Sequence, residues 1–298
     1  MRARNAWMAA LVVLVAALPV AAQRPAAGGM KVYISADMEG VAGVVDGTQT
    51  SPTGRDYAWA RRLMIAEVNA AIAAAFEAGA SEVVVNDSHG PQTNLQPDLL
   101  DRRAVLITGQ PKPWGMMQGI DSSFAAVIFI GYHPRASTTD GVLDHTYSGQ
   151  LKSVKLNGIE VGEYGLNAAV AGHHGVPVVF ISGDRAVTEQ ARELIPGVEA
   201  LAVKDGIGQT AARTMHPEDA REKIAAGIKA ALARRTQIRP VRLERPVTIE
   251  VEVANSAQAD AAMLVPGMQR VSGRVVSYAA PDMAVAYQIS RLVMRLAQ

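Results

Sequence analysis

The sequence predicts an α/β protein: a largely parallel, Rossmann-like sheet domain joined to a second, smaller α+β portion. Two observations carry this expectation. From Met30 onward, short apolar runs rich in β-branched residues alternate with longer alanine-rich stretches at helical spacing, the pattern of βαβ units. Beyond about residue 200 the texture changes, with prolines bracketing a linker and a segment that alternates apolar and polar side chains. The 298 residues are 49% hydrophobic and only 19% charged, enough to build a sizeable core and unlike a disordered or collagen-like chain.

Five apolar runs, residues 31–35, 82–85, 105–108, 126–130 and 178–182, are nearly continuous in hydrophobicity, as expected of strands covered on both faces. Between the first two, residues 57–78 predict a helix rich in Ala, Leu, Ile and Met, with Gly79 as its stop. Residues 153–156 and 159–161, joined by Asn157-Gly158, carry a strong hairpin signal. Helices are expected over about 163–171 and over 186–194, the second ending ahead of Pro196-Gly197. Pro217 suits the first turn of a helix running to about Arg234, where basic residues face its negative end. Pro240 and Pro246 bracket the linker, residues 247–253 read as an edge-accessible strand, and residues 281–296 as a final amphipathic helix. The expected organisation is a catalytic α/β domain over 30–200 and a smaller portion over 201–298.

Residues 1–22 have the form of a secretory signal, with Arg2 and Arg4, an apolar run over 6–18 and the small residues Ala21-Ala22. The run is shorter than the roughly 20 residues of a bilayer span. Cleavage after Ala22 is expected, leaving residues 23–29 as a flexible lead-in and an exported, periplasmic protein. The formal charge of +1, from 29 basic and 28 acidic residues, gives no reason to expect nucleic acid as a partner. The absence of cysteine excludes disulfides, thiolate nucleophiles and Cys-ligated metals, so any metal must sit on His, Asp and Glu.

Those residue types fall where ligands bind in open α/β sheets, just beyond the carboxyl ends of strands. Asp37 and Glu39 follow the first apolar run, His89 the second and His133 the fourth. Two apart on an extended chain, Asp37 and Glu39 face the same way, and Gly40 permits a turn away. Each histidine taken singly is more simply a turn residue; their coincidence at three strand exits favours a shared site. His145 lies in a Gly/Thr/Ser-rich loop long enough to fold back over that site. Glu163, taken alone, is explained by charge compensation at a helix N-terminus, while His173, His174 and His216 read as helix-end residues. A donor set of oxygen and nitrogen suits zinc or manganese. The candidates outnumber the three ligands of one catalytic zinc, which favours two ions sharing a carboxylate.

The hexapeptide Ser35-Ala36-Asp37-Met38-Glu39-Gly40 resembles the S-x-D-x-E-G signature of the zinc-dependent D-aminopeptidases of the DppA type. The resemblance continues in order through Asn86-Asp87-Ser88-His89, Gly131-Tyr132-His133, Asp144-His145, Val161-Gly162-Glu163-Tyr164-Gly165 and Val203-Lys204, and covers about residues 30–296. It implies two zinc ions per chain on Asp37, Glu39, His89, His133 and Glu163, with Asp37 bridging and His145 catalytic. It further implies a homo-oligomer, a decameric ring, that releases N-terminal D-residues such as D-Ala from short peptides. The loop from His133 to His145 holds one extra residue relative to that pattern. The residues alone leave two other classes open: a metal-dependent amidase or phosphoesterase, and an exported peptide-binding protein. No G-x-S-x-G elbow supports a serine hydrolase.

Overall fold

The computed structural model describes residues 29–298, so the expected signal over 1–22 lies outside the described residues. The chain runs through β1 (Met30–Ala36), α1 (Gly47–Thr50), α2 (Tyr57–Glu77), β2 (Ala80–Asp87), β3 (Val105–Ile107), β4 (Ala126–Tyr132), β5 (Leu151–Leu156) and β6 (Ile159–Glu160). It continues with α3 (Glu163–His173), β7 (Val178–Asp184), α4 (Arg185–Leu194), β8 (Glu199–Gly208), β9 (Ala211–Thr214) and α5 (Pro217–Ala233). Last come β10 (Val247–Val253), α6 (Ser256–Ala262), β11 (Gln269–Arg270), β12 (Val275–Ala280) and α7 (Met283–Leu296).

A seven-stranded sheet has the order β3-β2-β1-β4-β7-β8-β9 and is parallel apart from β9. Its central strands β1, β4 and β7 are almost wholly buried because helices cover both faces: α2 and α5 pack together on one, α3 and α4 on the other. The order reverses at β1, whose neighbours are β2 and β4, so the topological switch point opens beyond the ends of β1 and β4.

The second sheet, β11-β12-β10-β5-β6, is antiparallel and smaller. It corrects one expectation. β10 is the middle strand rather than an edge, because apolar-polar alternation reports one buried face, not an unpaired side. Nor do the two sheets divide the chain at residue 200: β8, β9 and α5 belong to the first, whereas the β5–β6 hairpin joins the second. The hairpin turns through Asn157 and Gly158 at φ 48 and 83°, as the Asn-Gly pair requires. Helix α7 packs on β10, β12 and α3, and so couples the second sheet to the first. Among the described residues no helix is long and apolar enough to cross a membrane.

The exits of β1 and β4 are stitched beyond the ladder. Asp37 N–H donates to Ile130 O at 2.8 Å and Gly40 N–H to Gly131 O at 2.7 Å. The approach leaves no room for side chains: a Cβ on Gly40 would lie 1.9 Å from Tyr132 O, and one on Gly131, at φ +69°, 2.3 Å from Asp37 O. Gly40→Ala is therefore expected to destabilise the fold by about 1–3 kcal/mol, read as a lower denaturant midpoint at unchanged slope; an unchanged midpoint would contradict the close approach.

Candidate metal centre

Three strand exits and one helix start converge on one buried cleft. Asp37 and Glu39 enter from the β1 exit, His89 from β2, His133 from β4, and Glu163 from the first turn of α3, where the chain returns from the second sheet. His145 arrives on the loop after β4. His89 Nδ1 lies 2.9 Å from Glu39 Oε2 and 3.3 Å from Asp37 Oδ1. His133 Nε2 lies 3.6 Å from Asp37 Oδ2 and 3.4 Å from Glu163 Oε1, and His145 Nε2 lies 3.7 Å from that same Glu163 oxygen. The His133 and His145 rings stack with centroids 3.9 Å apart. All six residues singled out by the sequence are thus brought together. His173, His174 and His216 stay apart as α3-end and α5-cap residues, and Asp144 turns away to accept from Thr138 N–H and Gln209.

Each histidine has one ring nitrogen committed to a main-chain carbonyl. His89 Nε2 meets Thr50 O at 2.8 Å, His133 Nδ1 meets Pro134 O at 3.0 Å, and His145 Nδ1 meets Leu143 O at 2.8 Å. A carbonyl only accepts, so those nitrogens carry protons, and the opposite nitrogens are the ones turned to the carboxylates of the cleft. His133 Nε2 is buried with no hydrogen-bond partner. Imidazole nitrogens set against carboxylates call for positive charge between them, a proton or a metal ion, and oxygen and nitrogen donors with imidazoles oriented from behind fit a divalent transition metal.

The electrostatics of the protein atoms say the same. Burial, and next the charge of Glu39, push Asp37 up to about 7. Burial opposes charge on His133, but Glu163, Asp37 and Glu39 outweigh it and push that imidazole up to about 10. Glu39 is held well below the usual carboxylate range by His89, against the opposing effect of burial. Three buried carboxylates thus draw protons onto neighbouring groups when nothing else supplies positive charge. His145 differs: burial, then the charge of His133, lower it, which keeps it neutral near pH 7.

The supports of this site are less visible in the sequence. Asp184 caps α4 through Val187 N–H and also accepts from Val142 N–H at 2.8 Å, fastening the His145 loop to the end of β7. That loop holds Ser137, Asp140, Leu143 and Tyr147 at positive φ; Leu143, at 52°, is a strained residue whose carbonyl orients His145. Beneath the cleft, Ser35, Ser88, Tyr132, Asn167 and Tyr287 form a buried hydroxyl and amide network. Lys204, 2% exposed, donates to the carbonyls of Glu39, Val41 and Val44, clamping the segment that carries the two β1 carboxylates. Burial lowers its pKa to about 8. In the sequence it stands in the Val203-Lys204 pair of the resemblance, with no role attached to it. Lys204→Met strands those carbonyls and is expected to cost about 2–5 kcal/mol, measured by denaturant unfolding; a loss under 0.5 kcal/mol would contradict the clamp.

Comparison with known proteins agrees with this architecture. The Peptidase_M55 family model, described as D-aminopeptidase, matches residues 30–292. A D-aminopeptidase of Bacillus subtilis (strain 168) is 40% identical over 270 residues, which span 90% of this chain and 98% of that relative. A solved structure, the Zn-dependent D-aminopeptidase DppA from Bacillus subtilis, described as a self-compartmentalizing protease, superposes with a TM-score of 0.88 at 38% identity, covering 90% of this chain and 98% of that one. With one family model matching nearly all of its described length, the chain belongs to the D-aminopeptidase family.

Proposed function

We propose that the protein is a zinc-dependent aminopeptidase that releases an N-terminal D-residue, D-Ala among them, from short peptides. A pair of ions would be held by Asp37, Glu39, His89, His133 and Glu163. The observation that carries this is the set of backbone-anchored imidazoles whose opposite nitrogens face buried carboxylates. Asp37 presents one oxygen to His89 and the other to His133, which suits it to the bridging position. When bound, such a pair polarises the scissile carbonyl and makes water a nucleophile at neutral pH.

The chain's own residues supply the proton transfers. His145, neutral and fixed through Nδ1, turns Nε2 into the cleft, where it takes a proton from the attacking water and returns it to the leaving amine. Glu163 accepts the Tyr147 amide at 2.6 Å, so the carboxylate beside both His133 and His145 is held from behind. The stereochemical preference is supported by the activity named for the relatives. Similarity to a self-compartmentalizing protease supports a homo-oligomer, with a decameric ring as the proposed form. The pattern of residues 1–22 supports export to the periplasm.

Elemental analysis of residues 23–298 is expected to find about two zinc ions per chain, with chelation abolishing, and zinc restoring, cleavage of D-Ala peptides over L-Ala counterparts. Metal-bearing protein that cleaves neither would overturn the substrate assignment; absence of metal with undiminished activity would overturn the site. His145→Ala is expected to lower kcat by about 10²–10⁴ at unchanged metal content, whereas Glu163→Gln is expected to lower metal content itself. Loss of zinc in His145→Ala would make that residue a ligand instead.

A further inference from the structure

The cleft holding the carboxylates and imidazoles forms a cavity of about 250 Å³ that the end of α7 also lines. Two arginines of that helix, Arg291 and Arg295, line it. They stand four residues apart on one helical face, a spacing that costs a few tenths of a kcal/mol by like-charge repulsion unless an anion is shared. The described residues supply no such anion. Arg291 makes no ion pair among them, in contrast to Arg234, Arg270 and Arg274, which each hold a carboxylate. Arg295 reaches only neutral oxygens, those of Gln110 at 2.9 Å and Gln298 at 3.5 Å.

The wall is built to receive the Arg291 guanidinium. It lies against the main chain of Gly115, which turns at φ +45°, and a Cβ there would fall 1.5 Å from Nη1. The cavity thus carries two chemistries on its lining: the candidate metal centre, and two guanidinium groups that hold no carboxylate. An aminopeptidase substrate is polarised the same way, with its amine and scissile carbonyl together and its free α-carboxylate farther along. Each residue adds at most about 3.3–3.6 Å, so the carboxylate of a dipeptide or tripeptide ends one or two such steps beyond the scissile bond. The cavity lies below the roughly 300–1,000 Å³ of drug-sized pockets, a size for a peptide of that length rather than for a long chain.

We propose that Arg291 and Arg295 form a carboxylate subsite that binds the free C-terminus of a dipeptide or tripeptide, making chain length a selected property of the substrate. The guanidinium fork suits a carboxylate, and such charge-assisted pairs are stronger than neutral hydrogen bonds. The inference rests on the proposed function for its orientation of the peptide, and its test separates the two. The probes are D-Ala-D-Ala analogues with the scissile amide reduced to a CH2–NH linkage, one with a free C-terminal acid and one with a carboxamide. Their affinities for the full protein are compared by calorimetry. The acid is expected to bind about tenfold or more tighter than the carboxamide, and this ratio to fall toward one in Arg291→Gln and to drop in Arg295→Gln. Equal affinities in the unsubstituted protein, no measurable binding of the acid, or a ratio that survives both substitutions would overturn the subsite. Cleavage of D-Ala p-nitroanilide, which has no carboxylate, reports the proposed function alone: activity there with an acid-to-amide ratio of one removes the subsite and keeps the peptidase. A preserved ratio without anilide cleavage does the reverse.

Discussion

The site depends on one close approach of main chains, that of the β1 exit to the β4 exit. Two glycines let Gly40 N–H reach Gly131 O, and the Asp37 amide reaches Ile130 O across the same gap. That contact sets how far Asp37 stands from His133 and so whether both can share a cation. The sheet order matters for the same reason. Parallel sheets leave a crevice where the order reverses, and here the reversal at β1 brings residues from separate crossovers to one edge. Glu163 is supplied differently, by the chain returning from the second sheet, which makes that sheet part of the site's construction.

Holding three carboxylates in a dry cleft is expensive, and the surrounding groups offset the cost by position. Lys204 reaches the carbonyls of the β1 exit segment from strand β8, a cation placed behind the acidic residues rather than among them. Glu67 also holds that segment, accepting the Ala42 amide, and burial raises it to about 7. The hydroxyl network beneath the cleft satisfies its members mutually, which is the condition under which buried polar groups rigidify a core.

Much of this was legible from residue order. Strands β1, β2, β4 and β7 announced themselves as continuous apolar runs, and the six candidate site residues stood just after strands or in a loop able to return. What could not be read was adjacency: nothing in the chain says that β4, rather than β3, lies beside β1. The role of β10 was misjudged for a related reason, since alternation records which face is buried and is silent on whether both edges are paired. The roles of Lys204 and Asp184 escaped because each acts on groups 40 to more than 160 residues away in sequence. A lone lysine or aspartate has no local signature of such a role.

The histidine anchors have a further consequence, for mutational robustness. In many metal sites a carboxylate behind each imidazole fixes its tautomer, and that carboxylate can be lost by a single codon change. Here the partners are the main-chain oxygens of Thr50, Pro134 and Leu143. Substituting those side chains does not delete the acceptor, provided the backbone path is kept. The number of positions at which chance replacement abolishes correct imidazole orientation is therefore small. Sequence can drift widely around such a centre while its donors keep their protonation pattern.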